Sequence, residues 1–188
     1  MYEIKDGYND RKSYTHFDDM SYTDGWQKEV YLKALTLVQD YDRILDIGCG
    51  SAYKLVEYFK DVNFIGYEIE PTLTKLRERY PGRHWEESNF SISLPKQDIV
   101  ICSDVIEHVL DPEELIAYLK TANAREYIIS TPERDLIYKD HNGPPRNGSH
   151  VREWNYDEFG RYLRKHFKTV EQSISNRSQF TQLAICRD

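Results

Sequence analysis

Three groups of residues in this chain have the types and spacing that chemistry requires. The first runs through Ile44-Leu45-Asp46-Ile47-Gly48-Cys49-Gly50-Ser51 and closes at Glu68. An apolar run that breaks on an acid and two glycines reads as a buried strand entering a turn, where missing side chains let the backbone approach a ligand. An acid ending the next apolar run, as Glu68 does after Phe64-Ile65-Gly66-Tyr67, can accept hydrogen bonds from both hydroxyls of a ribose. Glu70 is the competing acid, read as a solvated residue capping the helix that follows Pro71. Tyr53 stands where a dinucleotide fingerprint would place its third glycine, so the spacing argues against a pyrophosphate ligand.

The second group is Asp104, Glu107 and His108. On a helix they fall at i, i+3 and i+4 and share one face. That face supports three readings: His108 as the base for a hydroxyl, a divalent cation held by all three residues, or hydrogen bonds that merely fix a loop. Only one imidazole is present, so a cation there would be magnesium or manganese rather than zinc. The third group lies in the stretch 131–154, where His141, Arg146, His150 and Arg152 occur with no acid between 141 and 152. Guanidinium forks there suit a carboxylate or phosphate, which makes an anionic acceptor the expectation and His150 a second candidate base. The plainer alternative pairs Arg146 and Arg152 with acids elsewhere.

The elements that must position these groups follow from periodicity. Apolar residues at helical spacing from Trp26 to Leu37 predict an amphipathic helix over 24–39, after an irregular polar segment at 1–20. Strands are expected at 43–47, 63–68, 84–87, 98–102 and 126–130. Helices are expected at 52–59, from Pro71 to about 80, and from the Asp111-Pro112-Glu113-Glu114 start signal. Asn155 with Glu158 predicts a capped helix over 156–167, and the runs 169–175 and 180–186 predict an edge hairpin. Strand and helix alternate as a doubly wound α/β sheet requires. The stretch 131–154 is long for a connection and reads as an ordered lid on a single domain spanning 1–188, with 1–40 as a covering segment.

The Asp46-to-Glu68 pattern resembles the class I S-adenosylmethionine-dependent methyltransferases, whose first motif is a D-x-G-x-G turn. The resemblance runs from about residue 20 to the end. It implies a Rossmann-like sheet of seven mostly parallel strands with the last antiparallel and helices on both faces. It also implies S-adenosylmethionine as cofactor and S-adenosylhomocysteine (SAH) as product. Carried onto this chain, it places Asp46, Gly48, Cys49, Gly50, Glu68 and Ile69 around the ribose and methionine. Ser88, Asn89 and Phe90 fall at the adenine, where relatives usually have an acid and this chain has Asn89. Ser103 and Asp104 border the methionine, and Tyr22, Trp26, Gln27 and Tyr31 cover the cofactor. The segment Asp104-Val105-Ile106-Glu107-His108 resembles small-molecule O-methyltransferases, including those of ubiquinone biosynthesis, whose motif implies the cation. Ser130-Thr131-Pro132-Glu133-Arg134-Asp135, Gly143-Pro144-Pro145-Arg146-Asn147 and His150-Val151-Arg152-Glu153-Trp154 are similar to small bacterial methyltransferases of surface-polysaccharide or natural-product pathways. The implied reaction is methyl transfer to an oxygen of a small, anionic, sugar-derived or comparable metabolite. An RNA or protein methyltransferase and a non-catalytic cofactor-binding partner remain as alternatives.

Composition sets the outer bounds. The 188 residues carry a net charge of −7, which disfavours a nucleic-acid partner. Charges at Glu3, Lys5 and Asp6 leave no apolar signal region, and no run approaches membrane length. Three cysteines, two of them in apolar runs, read as reduced core thiols of a cytoplasmic protein. Oligomeric state is left open.

Overall fold

The computed structural model describes residues 4–5, 7–10, 26–139, 141–176 and 180–188. Seven strands form one sheet: β1 (Arg43–Ile47), β2 (Asn63–Glu68), β3 (His84–Glu87), β4 (Ile99–Ser103), β5 (Glu126–Pro132), β6 (Thr169–Asn176) and β7 (Thr181–Arg187). Their order is β3-β2-β1-β4-β5-β7-β6. The first five strands pair in parallel, and β7 runs antiparallel to both β5 and β6. Strands β1 and β4 are buried along their length apart from Arg43, because a parallel strand in mid-sheet is covered on both faces.

Alternation divides the core into two layers. Leu45, Ile47, Val100, Cys102, Tyr127 and Ile129 face one side, against Leu115, Ile116 and Leu119 of α4 (Pro112–Lys120) and Phe159, Tyr162 and Leu163 of α6 (Tyr156–Leu163). Ile44, Phe64, Ile99, Ile101 and Ile128 face the other side. There they meet Val30, Tyr31 and Ala34 of α1 (Lys28–Leu35), Leu55 of α2 (Tyr53–Tyr58), and Leu73 and Leu76 of α3 (Thr72–Arg79). Each fully buried aliphatic or aromatic side chain in these layers contributes about 1.5–3 kcal/mol. Among the described residues no helix is long and apolar enough to cross a membrane.

The cap chemistry is local and legible. Asp111 accepts the Glu113 amide at 3.0 Å to start α4. Asn155 accepts the Glu158 amide at 2.9 Å while Glu158 accepts that of Asn155 at 3.0 Å, closing a capping box on α6. Several expected bounds shift. The helix predicted over 24–39 is helical over Lys28–Leu35, and residues 24–25 lie outside the described residues, as does much of the segment 1–20. Strand four starts one residue later because Asp98 turns aside to accept the Arg43 amide at 2.9 Å. β5 extends to Pro132 because β7 continues the ladder through Leu183, Gln182 and Thr181. α6 stops at Leu163 rather than 167.

The stretch 131–154, of which residue 140 lies outside the described residues, contains a helix the periodicity does not reveal, α5 (Arg134–Tyr138). Arg134 is buried and forks onto Glu158, with Nη1–Oε2 at 2.6 Å and Nη2–Oε1 at 3.1 Å. Trp154 is fully buried and stacks on Tyr162 with centroids 5.8 Å apart. The Val151 amide donates to the Glu107 carbonyl at 2.7 Å, which folds the end of the stretch back over the segment after β4.

Candidate functional site

Adjacent parallel strands β1 and β4 send their connections to opposite sides of the sheet, and a crevice opens at their carboxyl ends. The turn leaving β1 fills that position. Gly48 has φ +70° and donates to the Tyr67 carbonyl at 2.9 Å. A Cβ there would lie 2.5 Å from Val105 Cγ2, so both backbone and space demand glycine. The Gly50 amide donates to Glu68 Oε2 and the Ile69 amide to Oε1, each at 2.8 Å. Glu68 thereby ties the two strand ends together, with its carboxylate at the edge of the cavity where a ligand hydroxyl can reach it. Glu70 is spent differently: it is exposed and caps α3 through the Thr74 amide at 3.2 Å and hydroxyl at 3.0 Å.

Asp46 lies beneath this turn, fully buried. Its Oδ2 accepts the Tyr31 hydroxyl at 2.8 Å, and its Oδ1 has no hydrogen-bond partner among the described residues. Burial pushes its carboxyl up to about 7; the charge of Glu68 adds to this, while the Tyr31 hydroxyl and Lys54 pull the other way. Asp104, at φ +53°, is also raised by burial, offset by the Ser130 hydroxyl at 2.7 Å and the Gln27 amide at 3.1 Å. Ser103 shares a hydroxyl contact with Ser130 at 2.9 Å.

Of these groups Gly48, Gly50, Glu68, Ser103 and Asp104 line a cavity of about 1120 Å³, while the fully buried Asp46 lies outside its lining. Gly48, Cys49, Gly50, Glu68 and Ile69 line one wall, Ser88, Asn89 and Phe90 the far end, and Ser103 and Asp104 the floor. Trp26 and Gln27, just before α1, and Tyr31 within it also line the cavity, while Tyr22 lies outside the described residues. Asn89 Oδ1 already accepts the Ser91 amide at 3.0 Å, and Phe90 packs on Tyr118 with centroids 4.9 Å apart. The residues fit the cofactor that the resemblance implies: Glu68 matches a ribose diol, and the orphaned Asp46 oxygen matches an ammonium. Lys54 also lines the cavity and was not among the expected site residues. A lysine at a core-facing position just after the glycine turn is the signal that points to it.

At the other end of the cavity Glu107, His108 and His150 converge, with one potential ligand atom from each lying within 4.8 Å of the others. Asp104 is not part of this group. Glu107 is fully buried; Oε2 accepts the Thr131 hydroxyl at 3.0 Å, and Oε1 has no hydrogen-bond partner among the described residues but lies 4.0 Å from His108 Nε2. Burial raises its carboxyl well above the usual range, helped by the charge of Asp104. His108 Nδ1 sits 2.9 Å from the Ser149 carbonyl, which fixes the proton on that nitrogen and turns Nε2 into the acceptor. His150 is engaged at both nitrogens: Nδ1 meets Glu153 Oε1 at 2.6 Å, and the Asn147 amide, oriented by the Ser149 N–H, donates to Nε2 at 2.9 Å. The two rings meet edge to face, 4.8 Å apart.

The remaining cationic residues of the stretch turn away from the cavity. The Arg152 guanidinium, 2 % exposed, is spent on the carbonyls of Val109 and Leu110 at 2.9 and 2.8 Å and on Asp10 at 3.5 Å. Arg146 lies over the Tyr138 ring at 5.2 Å, and His141 Nε2 contacts the Pro144 carbonyl at 2.7 Å. None of the three lines the cavity, so the local patch does not present its guanidiniums to an acceptor there.

Comparisons with known proteins agree with this architecture. No curated protein matches the sequence. A chain of the complex between the Haloferax volcanii Trm112 methyltransferase activator and the putative methyltransferase is similar at 15 % identity and TM-score 0.68, covering 92 % of this chain and 99 % of that one. DesVI of Streptomyces venezuelae is similar at 14 % identity and TM-score 0.67, covering 87 % and 93 %. Magnesium protoporphyrin IX methyltransferase of Synechocystis with bound SAH is similar at 16 % identity and TM-score 0.60, covering 86 % and 81 %. At these identities the likeness speaks for the fold. A family model described as a methyltransferase domain matches residues 20–184, and the chain belongs to that family.

Proposed function

We propose that this protein is an S-adenosylmethionine-dependent methyltransferase that moves a methyl group to an oxygen of a small acceptor, such as a sugar-derived metabolite. The observation that carries the cofactor reading is the glycine turn bounded by Glu68 on one side and the orphaned Asp46 oxygen on the other. A ribose diol and an ammonium occur together in that cofactor and not in a nicotinamide dinucleotide. The SAH bound to the Synechocystis neighbour supports the same reading. The cofactor supplies an electrophilic methyl group on sulfur, which leaves the protein the work of alignment and water exclusion.

In this reading Glu68 holds the ribose, and Asn89 uses its second oxygen lone pair for the adenine amino group while Phe90 packs on the ring. Asp46 and Asp104 face the methionine ammonium, with Trp26 and Gln27 as cover. The acceptor hydroxyl gives its proton to His108 Nε2, and the Ser149 carbonyl stabilises the imidazolium through Nδ1–H. His150, whose Nε2 accepts from Asn147, supports the His108 ring rather than acting as the base. Residues 131–155 serve as the acceptor lid. With the arginines of the lid outside the cavity, a neutral hydroxyl acceptor fits better than an anion. The convergence of Glu107, His108 and His150 favours one second reading, a divalent cation that would lower the hydroxyl's pKa in place of the base. Three buried free cysteines suit a reducing, cytoplasmic setting. Incubating the protein with a library of hydroxyl-bearing metabolites and isotopically labelled methyl donor tests the proposal. Mass spectrometry should find a labelled methyl ether. Label appearing only on RNA, protein or an amine would replace it.

A further inference from the structure

The acceptor end of the cavity holds one polar group that base chemistry at His108 leaves unused. Glu107 is fully buried, lines the cavity, and its Oε1 makes no hydrogen bond among the described residues. The rest of that residue is held in place. Thr131 donates its hydroxyl to Oε2 at 3.0 Å, and the Val151 and Arg152 amides donate to the Glu107 carbonyl at 2.7 and 3.4 Å. A carboxyl oxygen fixed in a buried wall without a donor costs free energy, so its retention there points to a ligand group that meets it. Oε1 lies 4.0 Å from His108 Nε2, beyond hydrogen-bond reach of the atom that takes the acceptor's proton in the proposed reaction. Val105, Val109, Leu110 and Pro132, sequence neighbours of this pair and of Thr131, line the same cavity and offer apolar contact to carbon.

We infer that the acceptor is a vicinal diol: one hydroxyl bonds His108 Nε2 and takes the methyl group, while the hydroxyl on the next carbon bonds Glu107 Oε1. Two receiving atoms 4.0 Å apart suit such a pair, because hydroxyls side by side on a ring can each reach one atom at about 2.8 Å. A hydroxyl both donates and accepts, so it satisfies Oε1 whether or not the carboxyl carries a proton. A lone hydroxyl meets one of the two atoms and leaves the other bare. This inference rests on the methyl-transfer reading with His108 as base, and it makes Glu107 the residue that sets the acceptor class. It also predicts single methylation. The oxygen at His108 gives its proton to Nε2 as the methyl passes from sulfur to that oxygen, leaving a mono-methyl ether. Turned round for a second transfer, that product would set an ether oxygen, which has no proton to donate, against Glu107.

Titrations of the protein with cis-cyclohexane-1,2-diol and with cyclohexanol, followed by NMR in the presence of chelator, test the assignment. Wild-type protein should prefer the diol by about 5- to 100-fold, the range for pairing a buried polar group otherwise left unsatisfied. Glu107→Met, which keeps the length of the side chain and removes the oxygens, should bring the two affinities within about twofold. If that variant does not fold, a crystal structure of wild-type protein with the diol decides the matter. Hydroxyls on Glu107 Oε1 and His108 Nε2 support the inference, and a diol seated elsewhere overturns it. No preference in wild type, binding of neither probe, or a preference unchanged in Glu107→Met would also overturn it. So would a preference that appears only with added magnesium or manganese, which would put a cation between the diol and the protein. The titrations are run with and without SAH. Failure of SAH to bind would defeat the cofactor reading, whereas the diol preference is read from the cavity in either case.

Discussion

Replacing Glu68 with glutamine separates its structural work from its proposed ligand work. The carboxylate accepts two backbone amides at 2.8 Å and, in the ribose reading, two ligand hydroxyls. Glutamine keeps one oxygen and turns the other into an NH2 that faces an N–H donor. The turn therefore loses one anchor and the ligand one charge-assisted bond. A bond to a charged group is worth about 1.5–3 kcal/mol, so the SAH dissociation constant should rise about 10- to 150-fold at 1.4 kcal/mol per decade. Glu70→Gln supplies the control, because the Glu70 carboxylate bonds to Thr74 outside the cavity lining; the change should cost about 0.5–1 kcal/mol of stability through the weakened cap, without changing affinity. Isothermal titration gives the affinities, and denaturant melts of the ligand-free variants give the stabilities. Glu68→Gln binding SAH within twofold of wild type, or Glu70→Gln binding more weakly than Glu68→Gln, would refute the assignment.

Further outcomes follow from the same geometry. Asp46 titrates near 7 in the folded protein, above its unfolded value, so the folded state holds an extra proton between those values. Ligand-free stability should accordingly fall as pH rises towards 7, while cofactor affinity rises as the carboxylate ionises. Thermal melts from pH 4 to 8 should show the first trend and titrations from pH 6 to 8.5 the second, and Asp46→Asn should flatten both. His108→Ala should reduce turnover by about 10²–10⁴. Full wild-type activity in chelator fits the base, whereas restoration specifically by added magnesium or manganese would install the cation reading. Gly48→Ala should destabilise by about 1–2 kcal/mol from its backbone angle and about 1–3 from the clash with Val105. Adding Val105→Ala should recover the second part, as a denaturant double-mutant cycle would measure.

Much of the frame was legible because its signals are local. β1, β2 and β3 begin and end where the apolar runs meet acids, glycines or a proline, and the caps at Asp111 and Asn155 depend on residues within three positions. What escaped depends on contacts distant in sequence. The placement of His150 against His108 is set by the return of Val151 onto the Glu107 carbonyl, and Asp104 points instead to Ser130 and Gln27. The charge of Arg152 reads as a cavity cation until the carbonyls of Val109 and Leu110 claim it. α5 stayed hidden because it is five residues long and carries its buried arginine against Glu158, 24 positions away. Lys54 looks like an ordinary helix lysine until α1 is packed beside it.

The most direct test of the central claim is a calorimetric titration of the purified protein with SAH and, separately, with NAD. The turn between Asp46 and Glu68 predicts one-to-one binding of SAH and no heat from NAD. Saturable NAD binding with no response to SAH or S-adenosylmethionine would contradict the account.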